Sequence, residues 1–133
     1  MAEVAGVRYV DASKATTPHA TLTAMSSLPG AVLIVGGRNK GLDLSGLVNG
    51  RPRAVVAIGE AAEPMAAAFE GSCHVVMASS MEEAVMLASE AAAGTGVVLL
   101  SPGCSSFDWY GSYVERGRDF QRIVLSLSGD ASP

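Results

Sequence analysis

Five short apolar runs punctuate the chain: Val7–Val10, Ala31–Val35, Ala54–Ile58, His74–Met77 and Val97–Leu100. Most are unbroken rather than alternating, which is how strands covered on both faces read. Helical patterns lie between them. Thr17 and Pro18 predict an N-cap with proline at the first helical position, opening a helix to about Leu28 that Pro29-Gly30 stops. Glu60 to Glu70 predicts a second helix, with Pro64 tolerable only near its first turn. Ser80-Met-Glu-Glu83 reads as a capping box. It opens a third helix whose apolar positions Met81, Ala84, Val85, Ala88 and Ala92 repeat at helical spacing, up to Gly94-Thr-Gly96. Phe120, Ile123, Val124 and Leu127 mark the inner face of a final helix, expected to begin near Phe107–Trp109 behind a Ser105 or Ser106 cap.

Strands alternating with helices predict an α/β fold: one Rossmann-like domain with a mostly parallel central sheet of five to six strands, flanked by helices on both faces. The length of 133 residues fits one domain. Aromatic residues are only 5% of the chain, so Ala, Val and Leu must fill the core. The net charge of −4 and the absence of a basic stripe argue against a nucleic-acid partner. The clusters Arg51/Arg53 and Arg116/Arg118/Arg122 read as solvated surface. No apolar run approaches membrane-spanning length, and no signal peptide is evident, so no membrane partner is expected. Two unpatterned cysteines, Cys73 and Cys104, suit a reducing cytoplasm, and Cys104 reads as a buried, inert thiol.

In such sheets ligands bind beyond the carboxyl ends of the strands. Three turns there are unusual. Asp11 to Ala20, DASKATTPHA, sets Ser13, Lys14, Thr16 and Thr17 before a helix N-terminus, where N–H groups favour an anion. Gly36 to Gly41, GGRNKG, pairs two glycines with Lys40. Leu99 to Tyr110, LLSPGCSSFDWY, offers the hydroxyls of Ser101, Ser105 and Ser106 around Pro102-Gly103. Each also reads as an ordinary capped or glycine-rich connection. Taken together, two lysines and several hydroxyls at one edge suit a small carboxylate or phosphate. No general base is evident, there is no GxxxxGK[ST] phosphate loop, and no spacing of His and Cys suggests a metal site.

SKAT after one strand, GGxxKG after the next, and LSPGCSSFDWYxxYxxRGxxF near the end resemble, in order and spacing over nearly the whole chain, the C-terminal domain of the D-glutamate-adding branch of the Mur ligase family. That resemblance implies a cytoplasmic, ATP-dependent ligase of peptidoglycan synthesis. ATP, with magnesium, phosphorylates the carboxylate of UDP-N-acetylmuramoyl-L-alanine, and the amine of D-glutamate displaces the phosphate. Carried over residue by residue, Lys14 is catalytic. Thr16, Lys40, Ser106 and Tyr113 bind D-glutamate. Asp11, Ser13 and Lys14 lie at the ATP phosphates. Residues 1–133 would be the D-glutamate-binding domain, inactive alone. The UDP-binding and ATPase domains that hold most of the ATP and magnesium contacts, and an edge strand preceding Val7, would lie outside this sequence. Two positions depart from the family pattern: Ala12 replaces an Asp, and Thr17 replaces an Asn. Alternative readings are a sibling Mur or folylpolyglutamate-type ligase domain with another amino acid, or a non-catalytic stand-alone binding domain, which Ala12 keeps open.

Overall fold

A computed structural model describes residues 2–4, 6–37, 45–92, 96–103 and 110–130. Among them the chain forms the strands β1 (Ala2–Val4), β2 (Val7–Asp11), β3 (Val32–Gly36), β4 (Ala54–Ile58), β5 (His74–Met77) and β6 (Val97–Gly103). The helices are α1 (Pro18–Ser27), α2 (Ala62–Phe69), α3 (Met81–Ala92) and α4 (Tyr113–Asp130), with a 3-10 turn at Ser45–Gly50. The strands make one sheet in the order β1-β2-β6-β3-β4-β5. All neighbours are parallel except β1 and β2, which form an antiparallel hairpin pairing Ala2 with Tyr9 and Val4 with Val7. The edge strand before Val7, expected to lie outside the sequence, is therefore β1. Three residues bridged to β2 through Gly6, whose φ is +85°, carry too little apolar pattern to announce themselves.

Every residue of β3 and β4 is buried. Alternate side chains serve opposite faces. Val32, Ile34, Val56 and Ile58 join α3 and α4 in one core with Phe120, Ile123 and Val124. Leu33, Val35, Val55 and Ala57 join Met25 of α1 and Met65 and Phe69 of α2 in the other. Low aromatic content thus costs little, because Ala84, Ala88 and Ala92 bring α3 close to the sheet.

The expected capping works, with refinements. Thr17 Oγ1 accepts from the Ala20 N–H at 3.2 Å, and Pro18 opens α1. Ser80 Oγ accepts from the Glu83 N–H at 3.1 Å, but the Glu83 carboxylate returns to the Ser79 N–H, at 2.7 Å, one residue earlier than a capping box requires. The last helix repeats that arrangement. Ser112 Oγ accepts from the Glu115 N–H at 3.2 Å and Glu115 Oε2 from the Gly111 N–H at 2.9 Å. So α4 is capped by Ser112 and starts at Tyr113, later than expected. Ser105, Ser106 and the span 107–109 lie outside the described residues, as does Cys104.

The glycine that ends β3 is needed for packing. Gly36 has a φ of +133°, and a Cβ there would stand 2.1 Å from the Ile58 carbonyl oxygen. Gly37 donates its N–H to that same oxygen at 3.2 Å. The missing side chain at Gly36 serves an approach to the β4 backbone. We expect Gly36→Ala to cost at least about 3 kcal/mol, since backbone cannot yield as a flexible side chain does and the φ adds strain. Urea denaturation of the variant measures this.

Candidate functional site

The crossovers create a crevice. β2 leads to α1 on one face, whereas its sheet neighbour β6 leads to α4 on the other. The connections leaving the carboxyl ends of these two adjacent strands diverge, which is where open α/β sheets take ligands. A groove of about 690 Å³ lies there. The turn of residues 11–15 forms part of it, with α1 on one side and Tyr113, Gly117 and Gln121 of α4 on the other. Asp11, Ser13, Lys14 and Tyr113 all line it. Thr16 is half-buried just beyond. Lys40 and Ser106 lie outside the described residues.

The turn is built from backbone bonds. The Ala12 N–H donates to the Leu100 carbonyl at 2.8 Å, continuing the sheet one residue past β2. The Ala15 N–H reaches the Ala12 carbonyl at 2.8 Å, and the Gly103 N–H reaches the Ala15 carbonyl at 2.7 Å. This last bond ties the 11–15 turn to the end of β6. Lys14 is left exposed at the apex. Its ammonium is a compact charge on a flexible stem, suited to a phosphate or carboxylate.

Asp11 is the last residue of β2, so its side chain and that of Ala12 point to opposite sides. Ala12 packs toward the α1 core. The Asp11 carboxylate lies on the α4 side, where Oδ1 accepts from the Ser13 N–H at 2.9 Å and Oδ2 from Gln121 Nε2 at 2.6 Å. Ser13 is only 7% exposed. Its Oγ lies 2.4 Å from where a Cβ on Gly117 would stand. Asp11 and Ser13 therefore shape the turn from within, while Lys14 faces out.

Three readings of individual residues change. Ser101 does not offer a free hydroxyl, and Pro102-Gly103 is not a turn: all three belong to β6, because the strand runs past the apolar run that signals it. Ser101 is fully buried, and its partner is Thr21 of α1. Thr21 Oγ1 donates to the Ser101 carbonyl at 3.0 Å, and Ser101 Oγ donates to Thr21 Oγ1 at 3.3 Å. Arg116 is not solvated surface. It is 1% exposed, and its Nη2 donates to the Ser13 carbonyl at 3.4 Å. The signal was present: position 116 is four residues before Phe120 and extends the inner stripe of α4.

Outside the groove, Asp119 joins Tyr110 and Arg122, a pairing the sequence does not announce. Its Oδ1 accepts from Arg122 Nη2 at 2.6 Å, and its Oδ2 accepts a short hydrogen bond from the Tyr110 hydroxyl. Burial, then that bond and the Asp119 charge, push the Tyr110 phenol well above its ordinary value. Burial also pushes the Cys73 thiol up, which disfavours the reactive thiolate. Among the described residues, no three His, Cys, Asp or Glu side chains gather as a metal site would require, and no helix is long and apolar enough to cross a membrane.

No family model matches the chain. Individual proteins do. It is 43% identical over 132 residues to the UDP-N-acetylmuramoylalanine–D-glutamate ligase of Syntrophotalea carbinolica, covering 96% of this chain and 29% of that protein. The ligases of the same name from Chlorobium limicola and Desulfatibacillum aliphaticivorans are 44% and 46% identical, over 92% and 94% of this chain and 27% and 29% of theirs. The chain thus spans less than a third of the length of these curated relatives.

The Tyr110–Asp119 bond predicts an alkaline effect. A phenol whose folded pKa is raised contributes stability that is complete below the unfolded value, near 10, and is lost as pH rises above it. Tyr110→Phe should cost roughly 1 kcal/mol at pH 8, with the gap to the parent narrowing above pH ~10. Thermal melts from pH 8 to 11 test this.

Proposed function

Since the chain belongs to the family of UDP-N-acetylmuramoylalanine–D-glutamate ligases, as a homologue of one part of those longer enzymes, we propose that it is their C-terminal, D-glutamate-handling domain. The observation that carries this reading is identity of 43–46% spread over 92–96% of the chain. The reaction would join D-glutamate to UDP-N-acetylmuramoyl-L-alanine during peptidoglycan synthesis in the cytoplasm. Domains elsewhere in the ligase would bind the UDP-sugar, most of the ATP and the magnesium.

In this reading the domain binds and orients rather than supplying a base. D-glutamate carries two carboxylates and needs two anchor points. Lys40 with Thr16 would supply one; Ser106 and the backbone around Tyr113 would supply the other. A charge-assisted bond to lysine is worth roughly 1.5–3 kcal/mol. ATP, when bound, supplies the phosphoryl group that activates the acceptor carboxylate. The donor set fits a phosphate: Lys14 is exposed at the groove, beside the start of α1, with Ser13 and Asp11 shaping the turn beneath it. Lys14 would neutralise charge on the phosphates and on the reacting centre. It is the catalytic residue of the domain. Closure of the domain over the other two would then bring amine and carboxylate together, where orientation does most of the catalytic work.

The test is kinetic, in a ligase in which this chain replaces the matched segment of the Syntrophotalea carbinolica enzyme. Lys40→Ala should raise KM for D-glutamate roughly ten- to a hundredfold, the equivalent of one charge-assisted bond. Lys14→Ala should lower kcat at least about a hundredfold with KM for D-glutamate little changed. Unchanged constants in either variant remove that residue from the mechanism. Turnover with another amino acid in preference to D-glutamate would assign the domain to a sibling ligase.

A further inference from the structure

We propose that α4 sets the position of Lys14, with Gln121 as the positioning residue that acts on it through Asp11. The inference rests on the role just given to Lys14, and it adds the residues of α4 that brace its turn. Lys14 projects from a short turn, and its long side chain is exposed. Its position is set through the turn that carries it, and α4 reaches that turn in three ways. Gln121 Nε2 donates to Asp11 Oδ2 at 2.6 Å, while Asp11 Oδ1 holds the Ser13 N–H at 2.9 Å. One carboxylate thus links the helix to the residue immediately before Lys14. Arg116, buried, donates from Nη2 to the Ser13 carbonyl at 3.4 Å. Gly117 lets the helix approach closely, because a Cβ there would lie 2.4 Å from Ser13 Oγ and 2.8 Å from Asp11 Oδ2.

The three contacts differ in what they do. Gly117 sets the distance between helix and turn. Arg116 is part of the buried stripe, so its loss would disturb the fold as well. Gln121 is exposed, and its bond to a carboxylate is charge-assisted. Changing Gln121 removes the directional hold while sparing the core. A reacting group misplaced by about 1 Å loses on the order of a hundredfold in rate. The positioning effect therefore belongs in kcat rather than in the binding of D-glutamate.

Gln121→Glu would set two carboxylates against each other. The double variant Asp11→Asn with Gln121→Glu would reverse the polarity of the bond: the Asn amide donates to the new carboxylate, and its oxygen still accepts from the Ser13 N–H. In this chain, Gln121→Glu should speed amide hydrogen exchange at Ser13 by about tenfold or more while Leu99, in the central sheet, changes less than about twofold, and the double variant should restore protection at Ser13. In the ligase carrying this chain, Gln121→Glu should lower kcat at least about fivefold with KM for D-glutamate within about twofold. Unchanged exchange at Ser13, or acceleration shared equally by Leu99, overturns the proposal, as does failure of the double variant to restore Ser13. If Lys14→Ala leaves the ligase unaffected, the function given to Lys14 fails, whereas exchange and rescue at Ser13 still decide whether α4 braces the turn.

Discussion

A parallel sheet buried on both faces has no place for chemistry except at the ends of its strands. Each residue of β3 and β4 is buried, and three central residues of β6, Val98 to Leu100, are fully so. Any polar side chain in the middle would need a partner there. The one such place in β6, Ser101, finds its partner in Thr21. Everything reactive is thereby pushed to the carboxyl rim, and the divergence of α1 and α4 to opposite faces opens that rim beside β2.

The same constraint explains why the rim is held so firmly. Its turn sits at the edge of the core and borrows contacts from β6 and from α4. The Ala12 N–H extends the sheet, the Gly103 N–H ties the turn to β6, and Arg116 and Gln121 reach it from the helix. An exposed lysine stands on a turn whose backbone is fastened on several sides. That is the arrangement expected of a group whose position, more than its chemistry, matters.

Much of this was legible in the residues, for physical reasons. Unbroken Val and Leu runs mark doubly covered strands, and Thr17-Pro18 marks the start of α1 to the residue. β1 was not legible, because three residues carry no periodicity. The extent of β6 was hidden by Ser101-Pro102-Gly103, small polar and turn-forming residues that here continue a strand. Arg116 was misread because charge usually outweighs position in judging exposure, although its spacing from Phe120 placed it inside. Arg116 and Gly117 are the RG pair of the last motif. Its physical content, a buried cation and a missing Cβ against Ser13, needed the fold. At the site, the turn carrying Lys14 was recognised from composition, but Asp11 and Ser13 turned out to support that turn from within.

In the function proposed above, two anchor points would hold D-glutamate and favour one hand of the molecule. The most direct measurement is a nitrogen-15 NMR titration of the chain with D-glutamate and, separately, L-glutamate. The account predicts that the amide signals of Thr16 and Tyr113 move with the D form and stay in place with the L form. Equal movement with both, or none with either at saturating concentration, would contradict it.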